Sequence, residues 1–310
     1  MITAIMLINY LLLLFINTHN YLFITYHIRH PVDWFRTTVG TVLYEWFNMK
    51  DGILLIGYGT RKGNLEEILK AQAARLKAST CYEIGIAFFR VSSPTIQQAM
   101  EEMVAKGVER IAAVPYYVAE GTLTNELIPA KLGLQPHERF GEALVSGRRV
   151  QIFVARPFNY SPAVTDIVCD RIMSAGGTRD SGILVLGHGT RDPGMMNRSV
   201  VERNARRLEE RGYKHVAFAF NEFCGPTIKD SIAELVSQGV DEMVCVPLFV
   251  AMGLHLGEEI PEQIGIPPYS EGGAISVDGK TIKVSYTRPL EDDPRLADVV
   301  KRRSMEYLYS

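Results

Sequence analysis

The sequence predicts two tandem, doubly wound α/β domains, each built on a parallel sheet, and three observations carry that prediction. First, the chain repeats itself: "GILLIGYGTR" at residues 52–61 returns as "GILVLGHGTR" at 182–191. Second, the match runs on through both halves. Pro94, Pro115, Pro129 and Pro157 fall on Pro226, Pro247, Pro261 and Pro289 at a constant offset of 132, so a short insertion before Pro226 accounts for the change from the initial 130. Third, short apolar, β-branched runs alternate with helical patterns in each copy, which is the signature of βαβ units. With 310 residues, 47% apolar and 22% charged, the chain is long and apolar enough for two cores.

In chain order, strands are expected in the first copy near 52–57, 82–89, 109–118 and 149–155. The second copy repeats them near 182–187, 215–221, 242–250 and 281–287, with helices near 195–211, 227–238 and 294–308. The copies span 49–176 and 177–310, each flavodoxin- or Rossmann-like in plan. Ahead of them, residues 1–48 form a hydrophobic extension, and residues 2–26 contain no Asp, Glu, Lys or Arg. That window reaches the roughly 20 residues a membrane span needs. Asn17, Thr18, His19 and Asn20 interrupt it, and it lacks the basic start and small-residue cleavage site of a signal peptide. The extension reads as the product of a misplaced start upstream of Met49, or as a membrane anchor.

A net charge of −2 gives no basic excess for nucleic acid. Cys81, Cys169, Cys224 and Cys245 lie far apart with no CxxC pair, which suits buried thiols in a reducing cytoplasm and excludes a cysteine-ligated iron–sulfur cluster. "GHGTRD" falls short of a dinucleotide fingerprint, because Asp192 stands where a small residue is required and Glu222 lies 33 residues beyond Gly189. "GTRKG" falls short of a phosphate-binding Walker loop, so neither NAD nor ATP is expected.

In open α/β sheets ligands bind beyond the carboxyl ends of the strands. There the two copies differ in one consistent way. The second copy has His188, Glu222 and His255 after its first three strands, and the first copy has Tyr58, Arg90 and Leu123. Two imidazoles and a carboxylate suit a borderline divalent cation, and the same groups take up protons near neutral pH. Glu258 and Glu259 follow His255, where a carboxylate can orient a metal-binding imidazole. Both copies keep the triplet "GTR", Thr60–Arg61 and Thr190–Arg191, at the expected start of their first helix. With Lys62 and Arg90, these residues are candidates for holding a polyanion. Cys224, two residues after Glu222, is a further candidate soft ligand.

The motifs "GHGTR", "NEFCGPT" and "VPLFVAMGLHLGEEIP", in that order, resemble the sirohydrochlorin chelatase family of CbiX and SirB type, class II chelatases, in its two-domain long form. The resemblance covers nearly all of residues 50–310. It implies ATP-independent insertion of a divalent metal into sirohydrochlorin, a tetrapyrrole with eight carboxylates, by a cytoplasmic lyase. It implies further that His188 and His255 bind the metal and that Glu222 ligates it or takes pyrrole protons. Cobalt, for cobalamin synthesis, is the first expectation, then iron for sirohaem, then nickel. One departure stands out: many two-domain relatives carry these histidines in the amino-terminal half, and here only the carboxyl-terminal copy has them. A tetrapyrrole or metal carrier without turnover, and a zinc hydrolase using the same three residues, remain alternatives on the residues alone.

Overall fold

The computed structural model describes residues 49–192 and 196–308. The expectations for residues 1–48 lie outside the described residues. Each repeat forms one five-stranded sheet. In the first, β1 (Asp51–Gly57), β2 (Glu83–Phe88), β3 (Arg110–Pro115), β4 (Phe140–Val145) and β5 (Arg148–Val154) lie in the order β2-β1-β3-β5-β4. In the second, β6 (Gly182–Gly187), β7 (His215–Phe220), β8 (Glu242–Pro247), β9 (Gly272–Val277) and β10 (Lys280–Tyr286) repeat that order. Ile53, Leu54, Leu55 and Ile56 of β1 and Ile183, Leu184, Val185 and Leu186 of β6 are fully buried. Such unbroken apolar runs belong to central parallel strands covered by helices on both faces.

The expected sheets are mostly parallel, and each adds one antiparallel edge strand: β4 and β9 run against β5 and β10. Tight hairpins at Ser146-Gly147 and Asp278-Gly279, all four residues at positive φ, force the reversal. Such an edge strand is common on otherwise parallel sheets.

Helices α1 (Leu65–Ser79), α2 (Ile96–Ala105), α3 (Ile128–Lys131) and α4 (Pro162–Ser174) belong to the first repeat, and α5 (Met196–Glu210), α6 (Ile228–Ser237), α7 (Ile260–Ile264) and α8 (Pro294–Leu308) to the second. α2 starts at a capping box, with the Thr95 side chain accepting from Gln98 N while Gln98 accepts from Thr95 N. α6 keeps the equivalent Thr227 cap, accepting from Asp230 N at 3.2 Å. Before α3 and α7 the chain makes single π-helical turns, Leu123–Leu127 and His255–Glu259.

The last helix of each repeat crosses to the other. α4 packs on α5 and β8 of the second repeat, and α8 packs on α1 and β3 of the first. The duplication boundary at 176/177 therefore divides the sequence and not the core, which runs continuously through Leu69, Phe158, Val168, Val185, Val201 and Val300. Buried polar ties reinforce the joint: Gln72 Nε2 donates to the Tyr116 hydroxyl at 2.8 Å, and that hydroxyl donates to the Glu291 carbonyl at 2.7 Å. Among the described residues no helix is long and apolar enough to cross a membrane.

Candidate metal centre

The loops that follow β1 and β8 meet. Asn64 accepts from Met252 N through Oδ1 at 2.9 Å and donates to Glu291 Oε1 at 2.9 Å, so the strand ends of both repeats adjoin. On the second repeat's side, His188, Glu222 and His255 come together, each offering one ligand atom within 4.8 Å of the others.

The backbone fixes this convergence. His188 follows β6, and Glu222 follows β7 by two residues. The two turns are laced by Asn221 N donating to Gly187 O at 2.9 Å and Glu222 N to His188 O at 3.1 Å. Gly189 (φ 95) makes the approach possible, since a Cβ there would collide with the Glu222 carbonyl oxygen. His255 opens the π-helical turn, where a widened turn swings its ring toward His188; the two ring centroids are 5.1 Å apart and nearly perpendicular.

His188 Nε2 lies 3.3 Å from Glu222 Oε1, and its Nδ1 faces the Gly189 carbonyl at 3.4 Å. His255 Nδ1 lies 2.6 Å from Glu259 Oε2. Hydrogen bonding at Nδ1 leaves Nε2 of each imidazole as the donor for a cation. The Glu259 carboxyl is held below the ordinary glutamate range, first by the hydrogen bond from His255, then by one from Asn221. Asn221 is positioned in turn by Gln263, whose Nε2 donates to its Oδ1 at 2.8 Å. Glu258 turns away and accepts from the Tyr269 hydroxyl at 2.7 Å, so only one of the two glutamates reaches His255. The donors are neither buried nor free: the His188, Glu222 and His255 side chains are 39%, 35% and 41% exposed. A set this open, with three donors, can hold a borderline divalent cation and leave other coordination positions to outside ligands.

The first repeat has the same frame with different contents. Tyr58 stacks on Phe89 with centroids 6.1 Å apart, and the Arg90 guanidinium lies 5.5 Å from the same ring. One expectation about the "GTR" loops changes. Thr60–Arg61 is not a helix start, because α1 begins at Leu65, and Thr190–Arg191 likewise lies outside helix. Each threonine hydroxyl accepts from the backbone two residues on, Lys62 N at 3.1 Å and Asp192 N at 3.2 Å, closing its own turn. Arg61 and Arg191 are exposed, and the Arg191 guanidinium sits 4.7 Å from the Phe223 ring. Cys224 is partly buried and packs against the shared core, and the grouped donors are His188, Glu222 and His255.

Asn221 and Gln263 are part of the centre and were missed. The signal was available, since Phe89 and Lys131 occupy the equivalent positions of the first copy and the copies differ there as they do at the histidines.

The family model CbiX matches residues 52–175 and again 182–307. A relative named sirohydrochlorin cobaltochelatase, from Methanococcoides burtonii, is 38% identical over 128 residues, 41% of this chain and 96% of its own length. A relative named sirohydrochlorin ferrochelatase, from Priestia megaterium, is 24% identical over 218 residues, 69% of this chain and 78% of its own. Among solved structures, SirB from Bacillus subtilis with Fe3+ superposes with a TM-score of 0.65 at 22% identity, covering 83% of this chain and 95% of that one, which shows a shared fold. With both repeats matched, the chain belongs to the CbiX family.

Proposed function

We propose that this CbiX-family chain is a cytoplasmic chelatase that inserts a divalent ion, cobalt first, into sirohydrochlorin without ATP. The observation that carries the reading is the convergence of His188, Glu222 and His255 at the strand ends of one repeat only. Metallation must loosen water from the cation, bring it to the ring and remove two pyrrole protons as the ion enters. Two imidazole Nε2 atoms and one carboxylate provide loose ligation in an open site, so the ion can be handed on. As it passes to the ring nitrogens, Glu222 is freed to accept one pyrrole proton and His188, 3.3 Å away, to accept the other; both then reach solvent. Glu259 keeps His255 oriented throughout.

The first repeat serves as the opposing wall. Tyr58 and Leu123 pack on the macrocycle and Arg90 pairs with a ring carboxylate; Arg61 and Arg191 reach others. Thr60 and Thr190, whose hydroxyls close these loops, stand beside them as further contacts for the ring carboxylates. Cobalt is ranked above iron and nickel because imidazole and carboxylate donors accept all three and relatives named for cobalt are the more similar.

The test is anaerobic mixing of the protein with sirohydrochlorin and, separately, cobalt, iron and nickel(II), following the visible spectrum of the ring. Metal-dependent turnover above the protein-free rate, lost in His188→Ala, is expected. No acceleration with any ion would sink the enzyme reading and leave a carrier, which a stable stoichiometric complex would identify.

A further inference from the structure

We infer that Phe223 positions the substrate, its ring supporting one face of the macrocycle so that the pyrrole nitrogens stand over His188, Glu222 and His255. The inference rests on the chelatase reading and adds an apolar contact that none of the three donors supplies.

Phe223 follows Glu222 directly, and its ring centroid is 6.0 Å from that of His188. It is 47% exposed, although it is the kind of side chain that folding ordinarily buries. Its backbone lies at φ 69, within a three-residue turn closed by Cys224 N donating to Glu222 O at 2.9 Å. A bulky residue in that region is strained, and glycine would make the same turn without strain. The aromatic side chain thus stands where folding alone favours none.

The first repeat sharpens the argument. Val91 occupies the equivalent turn at φ 67, with Ser92 N donating to Arg90 O at 2.7 Å, and is 61% exposed. Tyr58, Arg90 and Leu123 replace the histidines and the glutamate there, so the strained turn is not a device for aiming metal ligands. What the two turns share is an apolar side chain held out from the sheet edge. A flat, conjugated ring system with carboxylates on its periphery fits that surface. Its face meets Phe223, and a peripheral carboxylate comes within reach of the Arg191 guanidinium beside the same ring.

The experiment uses the full chain and Phe223→Ala, Phe223→Gly and Phe223→Tyr. Four quantities are measured: sirohydrochlorin affinity without metal, cobalt affinity without sirohydrochlorin, KM and kcat for metallation, and Tm. Loss of one aromatic contact weakens sirohydrochlorin binding by about tenfold in the Ala and Gly variants, with KM rising in step. Cobalt affinity stays at the wild-type level, Tyr restores binding, and Phe223→Gly keeps a Tm at or above wild type because its turn is relaxed. Wild-type sirohydrochlorin binding in Phe223→Gly would overturn the inference, as would a parallel loss of cobalt affinity, which would make Phe223 a prop for His188. Failure of the wild type itself to bind or metallate sirohydrochlorin would instead overturn the chelatase reading and this inference with it.

Discussion

Gly189→Ala and Gly59→Ala form a matched pair that separates fold from site. Both glycines sit at positive φ, 95 and 90, and at each a Cβ would strike a carbonyl oxygen of the loop after the neighbouring strand, that of Glu222 or of Arg90. The backbone penalty and the displaced loop together cost about 2–4 kcal/mol in either repeat. For a protein of this size that lowers Tm by about 5–15 °C, within the total stability of a folded domain. The functional consequences diverge. In Gly189→Ala the loop pushed aside carries Glu222, one of three donors, so cobalt affinity falls about tenfold or more, equivalent to about 1.4 kcal/mol. In Gly59→Ala the displaced residue is Arg90, and cobalt affinity is unchanged. Differential scanning fluorimetry and cobalt titration of both variants test this. Equal cobalt losses in the two, or wild-type cobalt affinity in a destabilised Gly189→Ala, would refute the claim that this close approach builds the centre.

Glu259→Gln removes the charge that orients His255 while preserving shape, and cobalt affinity measured by calorimetry falls about 10–100-fold. Because the folded-state Glu259 carboxyl is held down by His255, its contribution is complete above the ordinary glutamate range and is lost as pH falls through the depressed value. The wild-type advantage in metal-free Tm over the Gln variant therefore disappears at the acid end of a pH series. Burial pushes the Cys245 thiol up to about 12, so it resists a thiol reagent at pH 8 in the native protein while exposed Cys81 reacts; equal labelling rates would contradict this packing. Deleting α8 strips Leu296, Val299, Val300 and Leu308 from the core. At about 1.5–3 kcal/mol for each buried side chain, the loss rivals the whole stability of a domain. Hydrogen exchange then shows β3 of the first repeat losing protection, although the deleted helix belongs to the second; loss confined to β6–β8 would contradict the exchange of helices.

The duplication made the fold legible, because two aligned copies report each boundary twice. β6 and α8 are observed at 182–187 and 294–308, where the apolar pattern put them. The edge strands were missed because β4 and β9 each bury a single residue, so neither has a buried run to read. Their only strong signals were the Ser-Gly and Asp-Gly hairpins, each two residues long. The crossing of α4 and α8 was beyond the pattern altogether. Amphipathic periodicity says that a helix buries one face and is silent about which sheet it meets. At the site, residue differences between copies found the three converging side chains, while the orientation of Thr60 and Thr190 depended on turn hydrogen bonds that their identity does not specify.

The substitutions between copies invert the chemistry of an edge as well as deleting donors from it. Arg90 stands where the second repeat has Glu222, and under the proposed function one edge attracts a cation and the other an anion. A substrate pair of metal ion and polycarboxylate ring calls for that division, since a carboxylate in the wall would repel the ring's own charges. Arg90→Glu should therefore weaken sirohydrochlorin binding more than Arg90→Ala, which removes attraction without adding repulsion. Two charges about 4 Å apart near a surface interact by ~4 kcal/mol before screening, and exposure reduces that to about 1 kcal/mol, or roughly fivefold in affinity. The gap between the two variants should narrow as salt rises toward 1 M, where the screening length falls to about 3 Å. A gap that persists at high salt would assign Arg90 a packing role, and equal affinities of the two variants at low salt would remove it from the substrate's path.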